Sequence, residues 1–265
     1  MIRPDLKAIP PYVPGVRDER AIKLSSNECA EGPLPPVLDA MRKALGEINR
    51  YPDIGALQLR AALGEHLGVA PEQVALGAGS SALCQQLVSI AAQPGDEVIF
   101  PWRSFEAYPI FVQVVGATPV RVPLGSDDRL DMPALAAAVT DRTKLIFICN
   151  PNNPTGTTIT GAEFAAFMDE VPADVLVVLD EAYFEYNHAA DTPVATEVIT
   201  RYPNVVGLRT FSKAYGLAGA RIGYAFGPRP IIEALNKVSI PFSVSAVAQE
   251  AALASLEAQE ALRAR

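Results

Sequence analysis

Beyond Tyr51-Pro52-Asp53 the chain alternates short apolar runs with longer segments of helical pattern. The runs are Gln73 to Leu76, Glu97 to Phe100, Pro119 to Val122, Leu145 to Cys149, Val175 to Leu179, Val205 to Leu208 and Gly223 to Phe226. Apolar runs separated by helices predict an α/β domain with a largely parallel sheet. In such sheets ligands bind beyond the carboxyl ends of the strands, so functional residues are expected where runs end and loops begin. The first fifty residues differ. Pro10-Pro11, Pro14, Pro33, Pro35 and Pro36 punctuate them, which predicts an extended arm that packs on something else and leads to a helix from about Val37 to Ile48. The alanine-rich tail from Ser243 to Arg265 predicts one or two helices with no strand after them.

Composition narrows the chemistry. At 265 residues, with 49% hydrophobic and 20% charged side chains, the chain can bury the core of one large domain or somewhat more. A formal net charge of −8 argues against nonspecific nucleic-acid binding, so any anionic ligand must be held by local donors. Cys29, Cys84 and Cys149 are scattered among apolar or small residues, a pattern of reduced thiols rather than disulfides or a metal cluster. His66 and His188 read as surface residues, which leaves no basis for a zinc site or a Ser-His-Asp triad. No stretch reaches the roughly 18 apolar residues of a membrane helix, and the amino terminus has no basic region before an apolar core, so a cytoplasmic protein is expected.

Four segments carry candidate chemistry. Gly77-Ala78-Gly79-Ser80-Ser81-Ala82 follows an apolar run and opens a helix, where backbone N–H groups and the helix dipole form an anion site. The same letters fit a dinucleotide fingerprint, but the acidic residues Asp96 and Glu97 stand before the next run rather than at its end. Asn150-Pro151-Asn152-Asn153-Pro154-Thr155-Gly156 is a rigid turn at the end of the fourth run, suited to aiming an amide side chain. The run from Val175 to Leu179 drives into Asp180-Glu181-Ala182-Tyr183. A carboxylate there is costly to bury without a cation, so Asp180 is expected to meet one, while Tyr183 offers a phenol and Glu181 and Glu185 point to solvent or brace the loop. Lys213, in Thr210-Phe211-Ser212-Lys213-Ala214-Tyr215-Gly216-Leu217-Ala218-Gly219-Ala220-Arg221, fits either a turn lysine or an amine that attacks carbonyl compounds.

A phosphate cradle, an aspartate for a cationic ring, an amide and a phenol for a ring oxygen and an amine for a carbonyl match the functional groups of pyridoxal 5′-phosphate. With these motifs in this order, the chain resembles the fold-type I pyridoxal-phosphate aminotransferases of the class I/II group. Within them it is similar to histidinol-phosphate aminotransferases and actinobacterial aromatic amino acid aminotransferases. The resemblance implies a three-layer α/β/α large domain on a mostly parallel seven-stranded sheet, with an incomplete small domain. It implies an arm and part of the small domain over residues 1–40, the cofactor domain over 41–240 and the start of an interdomain helix over 241–265.

By the same resemblance Lys213 links covalently to the cofactor and moves a proton at the substrate α-carbon, and Asp180 holds the ring nitrogen protonated. Asn153 and Tyr183 bond the ring oxygen. Ala78, Gly79, Ser80, Thr210, Ser212 and Arg221 hold the phosphate, with the planar fork of Arg221 suited to paired hydrogen bonds. Tyr108 stacks on the ring, and Tyr51 reaches the phosphate of the neighbouring subunit, which implies a homodimer. Asn27 and Glu28 line the substrate entrance, with Asn153 also on the substrate side. No metal is implied.

Trp102-Arg103-Ser104-Phe105-Glu106, Tyr12-Val13-Pro14-Gly15 and Pro241-Phe242-Ser243-Val244-Ser245 are similar to the aromatic aminotransferases. The expected reaction moves an amino group between an aromatic L-amino acid and a 2-oxo acid such as 2-oxoglutarate. Histidinol phosphate as donor, a pyridoxal-phosphate lyase or decarboxylase, and a cofactor-binding but catalytically impaired fragment are the alternatives. The last arises because relatives continue into a small domain whose arginine clamps the substrate carboxylate, whereas Arg263 and Arg265 lie in the helical tail, so the chain reads as truncated.

Overall fold

A computed structural model describes residues 2–12 and 20–264. Seven strands form one sheet: β1 (Val74–Gly77), β2 (Glu97–Trp102), β3 (Thr118–Pro123), β4 (Thr143–Cys149), β5 (Leu176–Asp180), β6 (Val205–Thr210) and β7 (Gly223–Phe226). Their order is β1-β7-β6-β5-β4-β2-β3. β7 runs antiparallel to both β1 and β6, and the remaining pairs are parallel. Each strand coincides with one of the seven apolar runs to within two residues at either end.

Side-chain alternation along the strands splits the core into two layers. Leu145, Phe147, Val178 and Leu208 face one side with α3 (Ser80–Ala91), α4 (Tyr108–Val114) and α8 (Arg229–Val238). Ile146, Ile148, Val177 and Leu179 face the other, against α2 (Leu57–Leu67), α5 (Met132–Ala137), α6 (Gly161–Glu170), α7 (Ala195–Val198) and α9 (Ala246–Glu257). The result is the expected three-layer arrangement. Burial on both faces explains why the runs of the inner strands carry no polar alternation, whereas the edge strand β3 is largely exposed and carries Arg121.

Local chemistry sets the helix ends. Thr160 and Glu163 form a reciprocal cap on α6, with the Thr160 hydroxyl accepting from Glu163 N at 3.1 Å and the Glu163 carboxylate from Thr160 N at 2.7 Å. Ser245 caps α9 by accepting from Ala248 N at 3.2 Å. The helix predicted over 37–48 spans Pro35–Ala44 as α1 and tightens into a short 3₁₀ turn, Leu45–Glu47; it packs against α9. The tail forms α9 and then α10 (Gln259–Arg263). Among the described residues no helix is long and apolar enough to cross a membrane.

β7 and α3 meet at close quarters. A Cβ on Gly223 would lie 2.5 Å from the backbone N of Ser80, so only glycine lets the strand reach the first turn of that helix. This contact ties the loop after β1 to the segment that follows Lys213 in sequence.

Candidate active site

The loops at the carboxyl ends of β2, β4, β5 and β6 and the start of α3 enclose a cavity of about 420 Å³. Ser80, Asn153, Asp180, Tyr183, Thr210 and Ser212 line it, together with Lys213 and Arg221. Residues separated by as many as 187 positions meet here, as in the Lys213 Nζ bond to Ser26 O at 2.8 Å.

The floor is acidic. Asp180 ends β5 only 4% exposed, pairs in register with Cys149 and shows a face to the cavity. Burial pushes its carboxyl up to about 6, opposed by bonds from the Tyr108 hydroxyl at 2.6 Å and Ala182 N at 3.1 Å that favour the charged form. A cationic ring nitrogen beside it removes that burial penalty.

At one end lies the anion cradle. α3 points its amino terminus inward, behind Gly79 at φ 82°, and a Cβ on Gly79 would lie 2.2 Å from Arg221 Nη2. Glycine is required there twice over, for its backbone conformation and for room. The Arg221 guanidinium donates to Ala218 O at 2.9 Å and approaches the Ser212 and Ser81 hydroxyls at 3.4 Å each and Ala78 O at 3.5 Å. Hydroxyls, helix N–H groups and a planar cation around one point suit a phosphate dianion.

Lys213 stands between cradle and floor, half-buried, with Nζ also donating to Asn27 O at 3.3 Å. Burial lowers its pKa; Glu28 and Asp180 oppose this and Arg221 adds to it. A larger fraction of free amine follows. Above it, Asn27 Nδ2 donates to the Tyr183 hydroxyl at 2.9 Å and to Asn153 Oδ1 at 3.3 Å, so the three side chains share one polar cluster. The other asparagines of the turn are structural: Asn150 bonds Thr192 and Ile159 N, and Asn152 bonds Ser104, Thr155 and Arg103 O.

One expectation needs revision. Tyr108 does not present its ring to the cavity. It is fully buried, lies 4.2 Å from Phe147 with the rings 10° from parallel, and supports Asp180 from beneath. Phe105, three residues earlier, lines the cavity and meets Tyr108 edge-on at 5.4 Å. Of the two alternatives for Glu181, solvent or a brace on the loop, the structure takes the second: the side chain is 2% exposed, ion-paired with Arg209 and accepting from Ala195 N. Tyr51, expected at a neighbouring subunit's phosphate, does not line its own chain's cavity; it is 82% exposed and rests on Phe242, with ring centroids 4.6 Å apart.

Phe105, Ser81 and Arg103 line the site without having been singled out as site residues. Tyr12 lines the mouth, while Val13, Pro14 and Gly15 lie outside the described residues, as does Arg265.

A buried aspartate for a ring nitrogen, a half-buried lysine and an anion cradle at the strand ends of this sheet define a fold-type I pyridoxal-phosphate enzyme. The chain belongs to the class I and II aminotransferases, whose family model matches residues 19–264. It is 64% identical over 265 residues to an aromatic amino acid aminotransferase of Corynebacterium glutamicum, covering 100% of this chain and 78% of that protein. It is 54% identical to the Mycobacterium bovis protein of the same name, covering 100% of this chain and 75% of that one. Among solved structures it resembles the Sinorhizobium meliloti histidinol-phosphate aminotransferase in complex with pyridoxal 5′-phosphate, with a TM-score of 0.84 and 36% identity over 90% of this chain and 65% of that one. A tetra mutant of Thermus thermophilus aspartate aminotransferase gives a TM-score of 0.86 at 29% identity, over 100% of this chain and 73% of that one.

The Tyr108 contact gives a first prediction. Tyr108→Phe keeps the ring packing but removes a bond to the charged form of Asp180, so the carboxyl pKa rises further and the anion is less available to a cationic ring. Cofactor affinity is expected to fall about tenfold, as for loss of one charged hydrogen bond. A fluorescence titration of the cofactor-free protein with pyridoxal 5′-phosphate measures it, and an unchanged dissociation constant refutes the assignment.

Proposed function

We propose that the chain is an aminotransferase that exchanges the amino group of an aromatic L-amino acid of the phenylalanine or tyrosine type with a 2-oxo acid such as 2-oxoglutarate. The observation that carries this reading is the grouping of Lys213, Asp180 and the Arg221 cradle in one cavity whose wall includes the apolar face of Phe105. The names of the relatives support the aromatic substrate. The structural similarity to histidinol-phosphate aminotransferases keeps histidinol phosphate as the competing donor.

Pyridoxal 5′-phosphate, when bound, supplies a ring that takes up the electron pair released at the substrate α-carbon. The protein's own groups do the rest. Ser80 with its backbone N–H, Thr210, Ser212 and Arg221 anchor the phosphate, and Ala78 and Gly79 bring the backbone close enough for them to do so. Asp180 keeps the ring nitrogen protonated, with Tyr108 as its support. Asn153 and Tyr183 bond the ring oxygen. We assign the contact with the flat face of the ring to Phe105 in place of Tyr108. Lys213 Nζ would hold the cofactor covalently, and as a free amine it would carry a proton to and from the substrate α-carbon. Asn27 borders the substrate side.

Residues 41–240 serve as the cofactor domain, 1–40 as an arm with part of a small domain, and 241–265 as the start of the interdomain helix. The exposed apolar residues Leu45, Ile48, Tyr51, Ile54, Ile240 and Phe242 support a homodimer in which a second copy covers them and Tyr51 reaches the partner's site; the proposed compartment is the cytoplasm.

The deciding measurement adds phenylalanine to the cofactor-loaded protein and follows the visible absorbance. Conversion to the spectrum of the aminated cofactor, reversed by 2-oxoglutarate, is the expected result. A response to histidinol phosphate alone moves the assignment to the competing donor, and release of carbon dioxide rejects transamination.

A further inference from the structure

One pair of buried ionic side chains takes no part in the chemistry above. Asp180 and Thr210 face the cavity, so strand alternation turns their neighbours Glu181 and Arg209 toward the opposite layer, near Tyr224 and Phe226. Arg209 Nε donates to Glu181 Oε2 at 2.7 Å, and the two side chains are 4% and 2% exposed. The other carboxylate oxygen, Glu181 Oε1, accepts from Ala195 N at 2.7 Å. The guanidinium carbon also lies 3.5 Å from the ring centroid of Phe184, the residue after Tyr183, whose backbone N donates to Glu181 O at 3.0 Å. Glu185 and Tyr224 also act on the guanidinium, which in turn acts on His66 and on Tyr215, the latter next to Glu185.

Replacing a buried ion pair with apolar side chains of similar size is often neutral or stabilising, so stability alone is a poor account of this one. Its geometry is more specific. Arg209 sits on β6, four residues before Lys213, and grips both the first residue of the 181–186 loop and the ring next to Tyr183.

We infer that Arg209 is a positioning residue for the reaction, fixing the Tyr183 phenol relative to Lys213 from the far side of the sheet through Glu181 and Phe184. This rests on the reading of Tyr183 as a donor to the cofactor's ring oxygen. Lysine in place of Arg209 keeps the charge but has neither the Nε–H that bonds Glu181 nor the flat face that packs on Phe184.

The test is a pH titration of the visible absorbance of the holoenzyme in the wild type, Tyr183→Phe, Arg209→Lys and the double variant. A bond donated to the ring oxygen draws charge from it and weakens its hold on the neighbouring proton, so losing that bond raises the midpoint. Tyr183→Phe is expected to raise it, Arg209→Lys to raise it by about half a pH unit or more, and the double variant to go no higher than Tyr183→Phe. A lower melting temperature with an unmoved midpoint in Arg209→Lys reduces the pair to a brace and overturns the inference, as do additive shifts in the double variant. An unmoved midpoint in Tyr183→Phe overturns the role of Tyr183 and the inference with it. Should Arg209→Lys fail to fold, Phe184→Leu keeps the ion pair and removes the ring; a smaller upward shift supports the inference, and none refutes it.

Discussion

Lys213→Ala is expected to abolish covalent attachment of the cofactor and to lower turnover at least about a thousandfold, the scale of a lost nucleophile and proton carrier. Lys213 is the only lysine among the residues that line the cavity, so no neighbouring amine can replace it. Its pKa is lowered by burial, which favours the neutral amine that attack on a carbonyl requires. The phosphate cradle is left intact by the substitution, so pyridoxal 5′-phosphate still binds, but reversibly. Borohydride reduction followed by mass spectrometry separates the two cases. The wild type gains the mass of the reduced cofactor on the peptide containing Lys213, and the variant gains none. A variant that still carries the label, or that retains turnover within tenfold of the wild type, removes the central assignment.

The second large effect concerns Asp180 and has opposite signs for stability and for catalysis. The carboxyl titrates at about 6 in the folded chain because it is buried, against an ordinary value of 3.8. An acid that binds its proton more tightly when folded contributes stability that is complete below its unfolded pKa and is lost as pH rises through the folded one. The cofactor-free protein is therefore expected to lose stability between about pH 4 and pH 6 through this residue. Carrying the charge at neutral pH costs about 3 kcal/mol. Asp180→Asn removes the charge, keeps an acceptor for the Tyr108 hydroxyl and is expected to flatten that slope, gaining up to about 3 kcal/mol above pH 7 in urea denaturation. Turnover falls by about a hundredfold to a thousandfold, because nothing then holds the ring nitrogen protonated. If the variant is no more stable than the wild type at pH 8, the burial of Asp180 is not the burden described here. If it turns over normally, Asp180 is not the partner of the ring.

Much of this was legible in the residues. Six of the seven strands follow from apolar runs because both faces of the sheet are covered there; the edge strand β3, largely exposed and carrying Arg121, follows from the valines on either side of that arginine. Asp180, Asn153, Lys213 and the glycine loop were legible because each stands where a strand gives way to a turn, and in this architecture those points converge; Arg221 instead precedes β7, whose antiparallel run starts at the same end of the sheet. The antiparallel placement of β7 was not legible, since an apolar run carries no direction.

Tyr108 and Phe105 could not be separated by spacing. They flank the start of one short helix, and only the packing of Phe147 decides which ring is drawn under the sheet and which is left facing the cavity. The ion pair of Glu181 with Arg209 left a usable signal, however. Each sits one position from a residue assigned to the site, so period-two alternation alone turns both away from the cavity and onto the same layer.

The strand order also governs when the site can exist. β1 has a single partner, β7, whose residues lie about 150 positions later in the chain, and Gly223 at the start of β7 is the residue that abuts the first turn of α3. During synthesis the glycine loop therefore emerges early and waits, without its strand partner or Arg221, until β7 has been made. Sequence-distant pairings of this kind close late in folding. Cofactor capture is thus a report on the completed sheet, and in refolding experiments pyridoxal 5′-phosphate is expected to select finished molecules rather than to guide unfinished ones.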